Sequence, residues 1–433
     1  TVSLASGATQ SGFGRTGTVD WVTTPQTGTV TAATGKGYFV NTTSGTITVN
    51  LPAGAAGSIV SLADYAATWQ TNNVTVTPNG TDKIGALNQS ATLNTEGQSV
   101  TFVYVDSTQG WVNTMDSTSN VRGSPPFIVA TGGTPCSGAI VCTNYKTHTF
   151  TGPGTLCVTS AGNVTGSNKL EYIVIAAGGG GAANKGNHDG VGGGGAGGFR
   201  EGYTPGSYTA SPLAAACSSL VATASPYAIV VGGGGTAGNS SCSNSSGGSG
   251  NNSSFSTITS TGGGGGRYGG PCGAGIPGGS GSGAGGGTPY AGGTGNTPVV
   301  SPAQGKDGGD GFNAGPSGGG GGGGATGCGI NNGPGPNVAI GGVGATTNIT
   351  GAPVAYAGGG GGGNYNPGAD SGAGSPCGTG GAASGNPAAP TPAGVAGTIN
   401  KGGGGGAAGN ISGTGDEGGL GGSGVVIIRY KFQ

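Results

Sequence analysis

The chain has 433 residues, of which 111 are glycine, about four times the usual share. Only 6 % are charged and the formal net charge is −1, which excludes electrostatic capture of nucleic acid or of an anionic membrane. Hydrophobic residues, at 33 %, are too few for one large side-chain core, and no stretch approaches the ~20 apolar residues of a membrane-inserted helix.

Taken from the start, TVSLAS (1–6) is a short alternating segment. Val2, Ser3 and Leu4 are the candidate assembly strand, suited to adding to a neighbour's sheet edge. Residues 1–120 read as an ordinary β domain, a sandwich or barrel. GYFVNTTSGTITVNLPA (37–53) alternates apolar and polar residues on both sides of a Thr-Ser-Gly turn and predicts a hairpin. NNVTVTP (72–78), ATLN (91–94) and QSVTFVYVD (98–106) repeat the strand pattern, whereas SIVSLADYAATWQ (58–70) predicts a strand running into one helical turn. Trp21, Trp69 and Trp111 all fall here and are expected to supply the bulk of the small core.

VRGSPPF (121–127) breaks the pattern with two prolines and marks a boundary. A short β connector is expected over 121–169. In it Cys136 and Cys142 flank the apolar SGAIV and form the one local disulfide candidate among eight dispersed cysteines. No CxxC pair exists and histidines number two, so no zinc framework is expected; the cysteine pattern favours disulfides and an oxidising, extracellular setting.

From residue 170 to 433 three apolar strands, LEYIVIAA, SPYAIVV and SGVVIIRYKF, punctuate glycine blocks at 262–266, 318–324, 358–363 and 402–406. No three-residue Gly-X-Y period holds, which excludes collagen. Ordering glycine in place of alanine costs roughly 0.5–1 kcal/mol per residue, so such a region is disordered or gains unusually dense backbone bonding. Runs of this length favour the second: extended threefold helices, rising about 3.1 Å per residue, can pack side by side and bond to one another. A six-residue run would span about 19 Å. Loops between such rods emerge at the ends of a slab, where Tyr268, Tyr290, Phe312, Tyr356 and Tyr365 are candidate receptor contacts, with packing over the slab as their bland alternative.

Catalytic readings are thin. The lysines stand in GKGY, NKGN, GKDG and NKGG, never before Ser or Thr, so no phosphate loop exists. His188–Asp189, near Lys185, lies in a polar loop, and His148 in the strand KTHTF. Asp307 and Asp310 in GKDGGDGF resemble one unit of a calcium-binding glycine-aspartate repeat, but the unit stands alone. No catalytic residue, metal ligand or cofactor is expected.

GKGYFVNTTSGTITVNLPAG, NNVTVTPNGTDKI and LNTEGQSVTFVYVDSTQGW resemble a domain found in virion proteins of tailed phages infecting cyanobacteria. FIVATGGT, YKTHTFTGPGTLCV, YIVIAAGGGG, PVAYAGGGGGG and GSGVVIIRYKF resemble glycine-rich phage tail-fibre and adhesin-like proteins. The resemblance implies a mainly β, non-enzymatic, extracellular structural or host-recognition component. Its partners would be copies of itself, other virion or surface proteins, and a host-surface glycan or protein. The rival expectation is a subunit of a bacterial surface filament or pilus assembled through its β domain.

Overall fold

A computed structural model describes residues 19–117, 125–183, 190–239, 245–270, 273–287, 289–313, 317–333, 339–365, 371–385, 393–409 and 416–433. The chain divides into two compact units, Thr1–Gly123 and Ser124–Gln433. Both are built of strands and irregular chain, with no helix among the described residues and no sheet closed into a barrel. The mainly β class follows. The candidate assembly strand Val2–Ser3–Leu4 lies outside the described residues.

The first unit contains β1 (Asp20–Gln26), β2 (Val30–Thr31), β3 (Lys36–Val40), β4 (Ile47–Asn50) and β5 (Ile59–Asp64). It continues through β6 (Val74–Thr77), β7 (Ala91–Leu93), β8 (Ser99–Tyr104) and β9 (Trp111–Ser117). The chain winds in circuits rather than doubling back. β1, β3 and β5 lie parallel in one sheet, and β2, β4 and β6 lie parallel in the other. Antiparallel β8 and β9 complete the first sheet and antiparallel β7 the second.

The expected 37–53 hairpin is therefore corrected: β3 and β4 belong to different sheets. The Thr-Ser-Gly corner carries the chain across the sandwich. It is held by the Thr42–Thr68 hydroxyl pair at 2.8 Å and by Asn72 Nδ2 donating to the Thr42 carbonyl. The predicted helical turn after β5 is also replaced. The Asp64 carboxylate accepts the backbone N–H groups of Thr68, Trp69 and Gly97, which fixes a non-helical turn instead. Alternation puts Val40, Val60, Leu62, Val100 and Phe102 against Val49, Leu51, Val74 and Val76 in one core. Trp69 and Trp111 are fully buried there, but Trp21 is 42 % exposed and lies outside it.

The second unit opens with β10 (Ile128–Thr131), β11 (Thr134–Val141), β12 (Tyr145–Phe150), β13 (Gly154–Ala161), β14 (Lys169–Ile175), β15 (Phe199–Tyr203) and β16 (Ala215–Ala216). Then come β17 (Leu220–Val221), β18 (Pro226–Val230), β19 (Ser253–Phe255), β20 (Ile258–Ser260), β21 (Ala345–Thr347), β22 (Val354–Tyr356) and β23 (Val425–Lys431). The last strand, β23, inserts between β12 and β14, so residues from the segment read as a connector pair with the chain's far end. β14 and β23 are covered on both faces, which explains their unbroken apolar runs. Leu170, Tyr172, Val174, Val426, Ile428 and Tyr430 pack toward the second sheet, β10-β13-β18-β19-β20. Ile173, Ile175, Val425 and Ile427 pack the other way, against Phe199, Ile349 and Tyr356.

Beyond the strands the glycine segments run as rods whose hydrogen bonds repeat every three residues. In 176–183, the N–H groups of Ala176, Gly179 and Ala182 go to Gly198, Gly195 and Gly192. Those of Ala177, Gly180 and Ala183 go to Asn251, Gly248 and Ser245, and those of Gly178 and Gly181 to Gly422 and Gly419. The carbonyls accept from three further segments, 263–266, 235–238 and 405–408, again at three-residue steps. This rod therefore has six neighbours, three antiparallel and three parallel. The rod 190–198 has six as well: 176–182, 261–267, 280–286, 320–323, 360–363 and 402–405. Backbone polar groups are satisfied in every direction, as burial requires.

Candidate functional site

Rod direction sorts the connections. The rod 176–183 leads away from β14, and 190–198 returns to β15. Parallel or antiparallel bonding to these two makes 235–238, 263–266, 280–286, 360–363 and 405–408 outbound, and 245–251, 320–323 and 419–422 inbound; 306–309, bonded parallel to 280–286, is outbound as well. The slab thus has a sheet end and a remote end. Tyr268, Tyr290, Phe312 and Tyr365 stand at the remote end, and Tyr356 at the sheet end.

The five aromatics are not equivalent. Tyr356 is buried in β22, with the Lys401 ammonium 4.3 Å from its ring centroid; burial and the nearby Glu201 push its hydroxyl up to about 12. It is a packing residue and is not presented. Tyr268 is also buried, among Ala182, Val191, Ala383, Ala407 and Ala408, and closes the rod ends. Tyr290, Phe312 and Tyr365 are half-buried. Backbone bonds link them in series. Gly311 N–H donates to the Tyr290 carbonyl at 3.0 Å, Phe312 bridges Gly318, and Tyr365 N–H donates to the Ser317 carbonyl at 3.0 Å. Ser317 Oγ accepts the Gly190 N–H at 3.2 Å, and Asn332 Nδ2 donates to Asn364 Oδ1 at 2.7 Å. The remote end therefore carries Tyr290, Phe312 and Tyr365 together with Ser317, Asn332 and Asn364. The two asparagines were missed in the sequence: Asn364 directly follows the glycine run 358–363, whereas Asn332 carries no comparable signal.

The other candidates resolve into structure. Asp307 and Asp310, three apart, sit on one line of their rod. Asp307 Oδ1 accepts the Gly295 N–H at 2.7 Å, and Asp310 Oδ1 accepts that of Gly292 at 2.8 Å. They supply the acceptors that a neighbouring rod supplies elsewhere. Among the described residues no cluster of His, Cys, Asp and Glu is placed to hold a metal. His188, Asp189 and Lys185 lie outside the described residues.

The disulfide candidate is corrected. Cys136 lies in β11 and Cys142 directly follows it, because SGAIV is strand rather than turn. β11 pairs along β12 from Thr134 to Val141, so the two cysteines lie toward opposite ends of that pairing rather than across a turn. Cys136, Cys142, Cys157, Cys217, Cys328 and Cys377 are all free thiols. Cys377 has its thiol lowered: burial opposes this, but hydroxyls of Ser375 and Thr379 at 3.0 and 3.1 Å, with backbone donors, outweigh it.

Buried charge concentrates beside β14 and β23. Arg429 Nη1 meets Glu171 Oε2 at 2.6 Å, and its guanidinium lies between the rings of Tyr145 and Tyr208, 3.7 and 4.8 Å from their centroids. Glu201 accepts from the Tyr208 hydroxyl, the Thr347 hydroxyl and the Ser211 N–H. Burial first, and Glu201 second, raise the Tyr208 hydroxyl far above its ordinary value. The two carboxylates are engaged by donors from three segments, β23, 204–211 and β21, so the cluster locks the cover of the sheet in place.

A family profile described as a glycine-rich domain matches residues 151–431. No curated protein matches the chain.

Proposed function

The chain belongs to the glycine-rich domain family, and from that premise we propose that it is a non-enzymatic structural and adhesive protein of an extracellular surface. Its glycine slab is the rigid mount, and the end remote from the sheets is the contact surface. One observation carries this reading: rods bonded to six neighbours run both away from the sheets and back, so described rods end remote from the sheets, where Tyr290, Phe312 and Tyr365 stand. The three-residue bonding period supports reading the runs as extended threefold helices, which have three residues per turn. Such a mount lets connections change without disturbing the core, as recognition surfaces require.

The resemblance in sequence makes a phage tail-fibre or receptor-binding virion component the specific form of the proposal, with a host-surface glycan or protein as receptor. The test is binding of labelled full-length protein to a panel of cyanobacterial cells. The triple variant Tyr290→Ala/Phe312→Ala/Tyr365→Ala is expected to lose binding while keeping its melting temperature. Binding unchanged in the folded triple variant would sink the assignment of the remote end.

A further inference from the structure

We propose that the outer face of the five-stranded sheet in the first unit is a binding site for a neutral pyranose ring of a glycan. The proposal stands independently of the role given to the glycine slab. Its basis is the row of residues that strand register places side by side across that face: Trp21, Gly37, Ser61, Thr101 and Met115. The next row holds Phe39, Ala63, Ser99 and Ser117. Neither row carries a charge.

The relief is a trough. On one side Trp21 stacks on Phe39 with ring centroids 4.8 Å apart. The indole leans over β3, and only glycine allows this: a Cβ at Gly37 would sit 2.7 Å from its ring carbons. On the other side Met115 stands 61 % exposed. Between these walls the floor is made of small hydroxyl residues, and a cavity of about 500 Å³ opens over Ser61, Ser99 and Thr101, with Asp116, which accepts from Gln98 Nε2, the one charged residue in its lining. Ser61 and Thr101 are buried, although their side chains point out of the sandwich.

The chemistry of this lining selects its occupant. Ser61 Oγ and Thr101 Oγ1 are 2.8 Å apart and share one hydrogen. Each hydroxyl has one donor and two acceptor sites, so the pair retains one O–H to donate and lone pairs to accept. A partially exposed indole in the same row as such a pair offers a flat apolar platform together with a two-way hydrogen-bonding floor. A pyranose has the matching surfaces, with C–H groups on one face and hydroxyls around the rim. An apolar peptide would leave the pair's remaining O–H without an acceptor. An anionic ligand would find no cation on either row.

Trp21 makes the experiment direct, since the chain's other tryptophans, Trp69 and Trp111, are fully buried. Acrylamide quenching of the full-length protein is measured with trisaccharides ending in glucose, galactose or N-acetylglucosamine, each at millimolar concentration. At least one is expected to shield Trp21 saturably. Calorimetry with that sugar should then lose the binding signal in Trp21→Ala and in Thr101→Val, which keeps the shape of the floor. Trp21→Phe should restore part of it, and the triple variant of the remote end should retain it in full. The proposal is overturned if no probe shields Trp21, or if binding persists in folded Trp21→Ala and Thr101→Val. Binding that vanishes only in the remote-end variant would assign the sugar to the slab and overturn it too.

Discussion

At the scale of single residues, the rod glycines are there for closeness rather than for unusual backbone angles. Gly194 is not among the positive-φ glycines, so an alanine could adopt its conformation without torsional strain. What excludes alanine is the lattice. A Cβ at Gly194 would lie 2.1 Å from the Gly179 carbonyl oxygen, and Gly194 also donates to Gly405 and accepts from Gly360. Relieving the clash means parting rods that are bonded on other sides. Gly194→Ala is expected to destabilise the second unit by at least ~3 kcal/mol, the upper range of overpacking costs, read as a lower denaturation midpoint. At Gly233 an added Cβ would find only Asn251 Nδ2, at 3.8 Å. Gly233→Ala is therefore expected to be neutral or to stabilise by up to ~1 kcal/mol, through the unfolded chain. Equal losses at the two positions would contradict the packing argument. The same logic explains why alanines such as Ala182, Ala407 and Ala408 occur where the rods end.

At the scale of elements, strands were legible wherever apolar residues alternated or ran together, and their partners were not. GYFV and TITVNL were found as strands, but a turn sequence does not say whether the chain folds back or crosses to another sheet. Here Thr68 and Asn72, from the next circuit, hold the corner. β23 was visible as an apolar run, yet its place between β12 and β14 depends on pairing across more than half the chain, which local periodicity cannot carry. That pairing gives His148 its setting. Gly132 offers only a carbonyl, so Nδ1–H donates to it at 2.6 Å, and Nε2 accepts the Tyr430 hydroxyl at 3.0 Å. Burial lowers the His148 pKa, with Lys146 adding to the effect and the Gly132 bond opposing it. The folded state therefore favours neutral imidazole, while the unfolded chain protonates near the ordinary value of about 6.5. The stability it contributes is present above that value and is lost as pH falls below it. Stability should fall between pH 7 and pH 5, by no more than about 1.4 kcal/mol per pH unit for one proton, read as a lower thermal midpoint. In His148→Gln this part of the slope should disappear; an unchanged slope would place the titration elsewhere.

At the scale of the whole second unit, two kinds of core share one cooperative body. Side-chain clusters lie between the sheets and under the cover that Arg429, Glu171 and Glu201 lock. The rods hold together through peptide groups bonded to peptide groups, with mostly glycine methylenes between them. The heat capacity of unfolding separates these contributions. Newly exposed apolar surface raises it by about 0.45 cal/K/mol per Å², and exposed polar surface lowers it by about 0.26. Melting the rods hydrates many peptide groups for each carbon side chain released. The second unit should therefore show a value per residue clearly below the ~12–15 cal/mol/K of ordinary globular proteins, measured by calorimetry across several pH values. A value within the ordinary range would mean that the sheet clusters dominate and that the rods are ordered by them. A low value would give the stability curve a broad, flat top, so the slab would keep its shape over an unusually wide span of temperature. That breadth would follow from building with backbone instead of side chains.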